Sequence, residues 1–232
     1  KSTRVCLNGA ESWDLSGQDL GPVEMMLISE LMRSAKVTAA ISLFDISGNF
    51  IFGIKDKSIG FGADRTQVHD VDKDETGFAA ICDALSGCSA LKSINFSDIG
   101  MGPKGAMLTS SMLRSERLDA AISRLLIGAN PIGAEGAQAL IDVLPQTQIE
   151  VLGIGKDLEL NFVEECTSLD ASNRGLLPGE VMLMSYWLRS EKVIAAAISL
   201  FDISGNFIFD SKDKSTGFTA DSTQVHDVDK DE

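Results

Sequence analysis

The chain has 232 residues, 44% apolar and 23% charged, a composition that supports a folded chain with a sizeable core. Its formal net charge of −14 at pH 7 disfavours nucleic acid and anionic lipid heads as partners and leaves basic protein segments as the better match. No apolar run reaches the length of a membrane span and no secretory-signal pattern opens the chain, so membrane insertion is not expected.

Taken in chain order, one template recurs. It reads I-x-x-F-x-I-x-x-N-x-I at Ile41, Phe44, Ile46, Asn49 and Ile51. Ungapped copies fall at Ile122, Leu125, Ile127, Asn130, Ile132 and at Ile198, Phe201, Ile203, Asn206, Ile208. Looser copies fall at Ala10 to Leu20, Leu91 to Met101, Ile149 to Asp157 and Cys166 to Leu176, which makes seven. Most are followed by a Gly- or Pro-containing turn and then a helical pattern. Met107, Met112 and Leu113 share one face, as do Ala137, Leu140, Ile141 and Leu144. The unit is a short strand, a turn and a returning helix, which buries its apolar face only against a neighbouring unit.

These units resemble leucine-rich repeats of the long, ribonuclease-inhibitor-like type, most closely over Ile122 to Leu144, "ISRLLIGANPIGAEGAQALIDVL". The resemblance implies an α/β solenoid of about seven units, with parallel strands on the concave face and helices on the convex face. It also implies protein–protein binding as the function. The third template positions, Leu15, Ile46, Phe96, Ile127, Ile154, Ala171 and Ile203, are spaced 31, 50, 31, 27, 17 and 32. The gap of 50 holds an insertion; the gap of 17 is too short for a helix and calls for a loop or an extra strand.

A longer period overlies the short one. Asp14 to Ala40 matches Asp170 to Ala196 at an offset of 156, and Ile41 to Glu75 matches Ile198 to Glu232 at 30 of 35 positions. The expected organisation is a single array over 1–232. One super-unit covers about 10–165, a partial second about 166–232, and insertions lie at about 53–74 and 210–231. The chain opens on Lys1 and halts where its first copy runs on, which reads as a segment of a longer array.

Three motifs invite chemistry. "GMGPKG", Gly100 to Gly105, spells a dinucleotide fingerprint, but the same slot in other units holds turn glycines, so no cofactor is expected. "DKDETGFAAICD" places Asp72, Asp74, Thr76 and Asp83 at calcium-loop spacing, the basis of an alternative reading as a calcium- or cation-responsive module. The competing reading makes it an Asp-rich helix start, with Thr76 or Asp74 as cap. His69 and His226 are the same insertion residue in two copies, and no nucleophile–base pairing can be argued, so no enzyme is expected. Cys6, Cys82, Cys88 and Cys166 have no paired spacing and read as reduced, mostly buried thiols of an intracellular compartment.

The outward positions of aligned strands carry the most function-like pattern. They include Asp14, Ser16, Asp45, Ser47, Asn95, Ser97, Asp170, Ser172, Asp202 and Ser204, an acidic, serine-lined strip. Neighbouring aspartates repel unless something cationic lies over them. The expected function is a non-catalytic interaction or structural scaffold. Its partners would be a basic segment or neighbouring subunits of a complex.

Overall fold

The computed structural model describes residues 11–34, 40–52, 71–119, 122–206 and 208. In chain order the elements are β1 (Ser12–Asp14), α1 (Pro22–Met32), β2 (Leu43–Asp45), α2 (Thr76–Leu85), β3 (Ser93–Asn95), α3 (Pro103–Leu113), α4 (Glu116–Asp119), β4 (Arg124–Leu126) and α5 (Gly133–Val143). They continue with a 3-10 turn at Leu144–Gln146, β5 (Val151–Ile154), β6 (Leu158–Asn161), β7 (Ser168–Asp170), α6 (Pro178–Leu188), α7 (Glu191–Ala196) and β8 (Leu200–Asp202). The insertions expected at 53–74 and 210–231 lie outside the described residues, apart from 71–74.

The short parallel strands β1 to β5 of the first sheet point an inner residue inward. Trp13, Phe44, Ile94, Leu125 and Leu152 are buried, and so is the second residue after each, from Leu15 through Ile46, Phe96 and Ile127 to Ile154. A left-handed residue then turns the chain toward its helix. It is Gly17, Gly48, Asp98, Ala129, Asn173 or Gly205, with φ between 53° and 69°. Pro22, Pro103 and Pro178 open α1, α3 and α6, where a missing N–H costs nothing and the fixed φ suits the first turn. The helices pack in the order α1, α2, α3, α5, α6.

The architecture departs from a run of seven parallel units. β1 to β5 pair in parallel, Asp14 facing Asp45, then Asn95, Leu126 and Gly153. β6 then folds back antiparallel on β5, with Ile154 opposite Leu158, and ends that sheet. β7 and β8 form a separate two-stranded parallel sheet. The cause is the spacing of 17 between Ile154 and Ala171. The units that carry a crossover helix are spaced 27 residues or more at the same positions. This one lacks room for a helix with its two turns, whereas a hairpin turn needs only two residues. Gly155 and Asp157, both at φ 53°, reverse the chain. The seven-unit solenoid expectation is therefore wrong: the fifth copy becomes a hairpin and the last two strands stand in their own sheet.

Consecutive turns are held by buried carboxamides. Asn49 donates to Leu15 O and Ile46 O at 2.8 Å each, while its Oδ1 accepts Gln18 N at 2.9 Å and Leu20 N at 3.0 Å. Asn130 repeats this with Phe96 O, Ile127 O, Ile99 N and Met101 N at 2.7–3.1 Å. Asn206 donates to Ala171 O and Ile203 O and accepts Leu176 N. An aspartate lacks the donors and a glutamine is one methylene too long. Phenyl rings fill the core beside them: Phe52, Phe78 and Phe96 follow one another at 5.1 and 5.0 Å, and Phe44 meets Phe96 edge-on at 6.5 Å. Asn130→Ala strands two N–H and two C=O groups in the core, so it is expected to cost about 3 kcal/mol in urea unfolding. At the half-buried Asn206 the same change is expected to cost about 1 kcal/mol, because water reaches the freed groups.

Candidate partner-binding face

The acidic strip assembles in two parts rather than one row. Asp14, Asp45 and Asn95 stand side by side at the outward positions of β1 to β3. Asp170 and Asp202 are paired in the other sheet. Between them Leu126 and Gly153 carry no acidic residue at the equivalent place, and Glu159 of β6, opposite Gly153, stands at the far edge of the first sheet.

The serines have a local task. Asp14 Oδ1 accepts the Ser16 hydroxyl at 2.7 Å and its N–H at 3.1 Å, and Asp170 does the same with Ser172 at 2.6 and 3.0 Å. Asp45, Asn95 and Asp202 accept the N–H of Ser47, Ser97 and Ser204. Each is an Asx-type turn that steers the chain out of its strand. The Ser16 hydroxyl, then its N–H, holds the Asp14 carboxyl below its usual range; Ser172 does this for Asp170, with Arg174 adding to it. These groups stay ionised well into acid. The expected repulsion along the row is relieved by Asn95, whose Nδ2 donates to Asp45 Oδ2 at 2.9 Å. One Asp14 oxygen still accepts no hydrogen bond among the described residues.

Beside the row lies a cleft of about 400 Å³, where the hairpin turn stands over the ends of β2 to β4. Ser47, Asn95 and Ser97 form one wall; Lys156, Asp157 and Glu159 form the other. Glycine lets its floor pack closely: a Cβ on Gly153 would meet Leu126 Cδ2 at 2.5 Å, and one on Gly128 would collide with Gly155 O. Arg124 pairs with Glu159 and props the hairpin from the side.

The calcium-loop residues do not converge. Asp72 is buried and faces the following helix, accepting Gly102 N, Lys104 N and Gly105 N at 2.8–3.2 Å at the start of α3. Asp74 Oδ1 takes the Thr76 hydroxyl at 2.6 Å and its N–H, at the start of α2. Asp83 lies on α2 and faces the preceding helix, 3.5 Å from Arg33. Asp74 thus forms an Asx-type turn with Thr76 just before α2, whose N-cap position is Glu75, and Asp72 accepts N–H groups at the start of α3.

Glu180 is the residue the sequence reading passed over. It is fully buried, and its carboxylate accepts Gly155 N at 2.7 Å, Leu177 N at 3.0 Å and Ala129 N at 3.1 Å. It ties the hairpin turn and the β4 turn to α6. The signal was faint: α2, α3 and α5 carry Gly77, Gly105 and Gly136 in their first turns, all pressed against neighbours, while α6 has Glu180. A Glu at N3 ordinarily reads as a surface capping box. Trp187 joins the same region, donating its indole N–H to Asn161 O at 2.7 Å. Burial pushes the Cys88 thiol up to about 11 and raises Cys82 as well, so neither is a nucleophile near neutrality. Among the described residues no helix is long and apolar enough to cross a membrane. No protein-family model matches the chain, and no curated protein matches its sequence.

Burial pushes Glu180 up to about 7, against the opposing pull of its three N–H donors. A carboxyl raised on folding binds its proton more tightly in the native state, so its contribution falls as pH rises from about 4.5 to about 7 and is level above. Glu180→Gln is expected to remove that slope. The stability difference between wild type and variant should change by about 3 kcal/mol across the window in urea titrations at stepped pH. A constant difference would show that the carboxyl does not titrate there.

Proposed function

We propose that the chain is a non-catalytic protein-binding scaffold whose β1–β3 face takes an extended, basic segment of a partner. One observation carries the reading: Asp14, Asp45 and Asn95 stand in a single row that leads into the cleft walled by Asp157 and Glu159. An extended chain laid across the row meets Asp14 and Asp45 on neighbouring strands, about 4.8 Å apart, and the cleft gives its end a seat. The net charge of −14 adds long-range attraction, which speeds encounter and is weakened by salt. The likeness of the units to leucine-rich repeats points the same way. Most other acidic groups one could assign to chemistry already serve the fold. Asp72 and Glu180 are occupied by backbone N–H groups, and Asp74 closes an Asx-type turn before α2.

The test is fluorescence anisotropy with a labelled nonapeptide of alternating arginine and glycine. The Asp14→Asn/Asp45→Asn double variant is expected to bind on the order of tenfold more weakly at low salt. The control, Glu135→Gln/Asp142→Asn, removes the same charge from the exposed face of α5 and is expected to change affinity less than about twofold. Equal losses in both variants would mean that only net charge is felt and would remove the row as a site.

A further inference from the structure

The outward row of the first sheet does not end at Asn95. The register carries it on through Leu126 and Gly153 to Glu159 on β6. Asp14 and Asp45 therefore stand at one end of the row and Glu159 at the other. Glu159 is exposed between the buried Leu158 and Leu160, so it shares the outward face with the aspartates. It also belongs to the wall of the cleft.

That position is already taken by a cation of the chain itself. Arg124, the first residue of β4, is the one cation at an outward strand position of this sheet among the described residues. Its guanidinium crosses β5 to Glu159. The way across is open because β5 carries Gly153, without a side chain, at the register position between Leu126 and Glu159. The contact is a single one, Nη2 to Oε1, and the two side chains are 39% and 46% exposed. An ion pair that open to water gives at most about a fivefold bias toward the closed arrangement. A guanidinium arriving from outside can offer its fork to both carboxylate oxygens at once, which Arg124 does not do.

We propose that Glu159 is the second anchor of the acidic row, that it receives an arginine of the partner, and that Arg124 holds this seat until the partner displaces it. The inference rests on the reading of this face as the site of an extended basic segment, and it adds what that segment must carry. From Asp45 the register runs through Asn95, Leu126 and Gly153 to Glu159, four strand steps. Those steps span about 19 Å, which an extended chain covers in about six residues. Side chains an even number of residues apart on an extended segment lie on the same side. The fitting partner thus has one basic residue over Asp45 and an arginine about six residues along over Glu159. Arg124 is a built-in competitor for that arginine and holds the affinity below what the acidic groups alone would give.

Anisotropy with the alternating arginine–glycine nonapeptide tests this through a double-mutant cycle. Arg124→Gln is expected to tighten binding about threefold to fivefold at low salt, and Glu159→Gln to weaken it by about the same factor. In the Glu159→Gln background the seat is gone, so Arg124→Gln is expected to change affinity less than about twofold. Lys104→Gln removes an exposed cation from α3 and controls for charge alone, again with less than about twofold change. Far-UV circular dichroism checks each fold, and Arg124→Ala replaces Arg124→Gln if that variant fails. An equal gain from Arg124→Gln in both backgrounds, or no gain, overturns the proposal. The two readings separate cleanly. A loss in Asp14→Asn/Asp45→Asn with no gain from Arg124→Gln keeps the row and removes the Glu159 seat. Failure of both wild type and Arg124→Gln to bind at about 1 mM peptide removes both. A second probe checks the spacing on the Arg124→Gln protein. A glycine–serine nonapeptide with arginines at its second and eighth residues is expected to bind about threefold more tightly than one with arginines at its fourth and sixth. Equal affinities overturn the two-anchor contact.

Discussion

Between consecutive turns the backbone presents more N–H groups than it can satisfy from its own carbonyls, and the structure depends on side-chain oxygens that reach across to them. Asn49 serves the turn before α1, Asn130 the turn before α3 and Asn206 the turn before α6. Three-residue strands contribute few ladder bonds, so the strands alone could not fix the stacking of one turn on the next. The carboxamide supplies that fixation because it offers two donors and two acceptor sites from one side chain, and it uses them on both turns at once. Burial makes the arrangement demanding, since each group left unmatched in an apolar core costs more than a matched one contributes.

Beside the asparagines, buried carboxylates reach across to further backbone N–H groups, and at one place this accompanies a change of architecture. Asp72 joins the segment before α2 to the first turn of α3, thirty residues on. Glu180 does the same from the other direction, reaching back from α6 to the β4 turn and to the reversed turn after β5. That second link coincides with the end of the main sheet. With a spacing of only 17 from Ile154 to Ala171 the chain turns on itself at Gly155 to Asp157, so the edge of β5 is filled by β6 and not by β7. The hairpin that closes the sheet also makes the cleft, because its turn stands over strands that would otherwise present an open face. One short spacing thus accounts for the second sheet, the split of the acidic strip and the cavity beside it.

Much of this is legible in the residues. The template positions mark every inward side chain of β1 to β5, and the asparagine slot marks the carboxamides, because a period of strand, turn and helix repeats identical local physics. Two things were not legible. A carboxylate three residues into a helix looks the same in sequence whether it caps its own N-terminus, as Glu24 does, or is drawn into the core by a turn 25 residues earlier, as Glu180 is. The spacing of Asp72, Asp74, Thr76 and Asp83 likewise counts positions along the chain. The helix starting at Thr76 then sends Asp83 toward α1 while Asp72 turns toward α3. Local patterns report local geometry, and both residues are decided by partners far along the chain.

The acidic character of the chain then divides by exposure. Carboxylates inside the fold have their charge met by backbone N–H dipoles, so they add little to the field outside. Those at the outward strand positions are held differently. Asp14 and Asp170 each commit one oxygen to a serine two residues on, which lowers their proton affinity and fixes their direction. The second oxygen accepts no hydrogen bond among the described residues, and the side chain's rotamer is already chosen by its own turn. A side chain ordered by its own turn loses less freedom when a cation settles on it than a free surface carboxylate does. The serines that complete these turns therefore set the geometry that a basic partner would meet. The pairing of Asn95 with Asp45 sets its limit, since it neutralises one acceptor in the row and leaves the row strongest at the β1 edge.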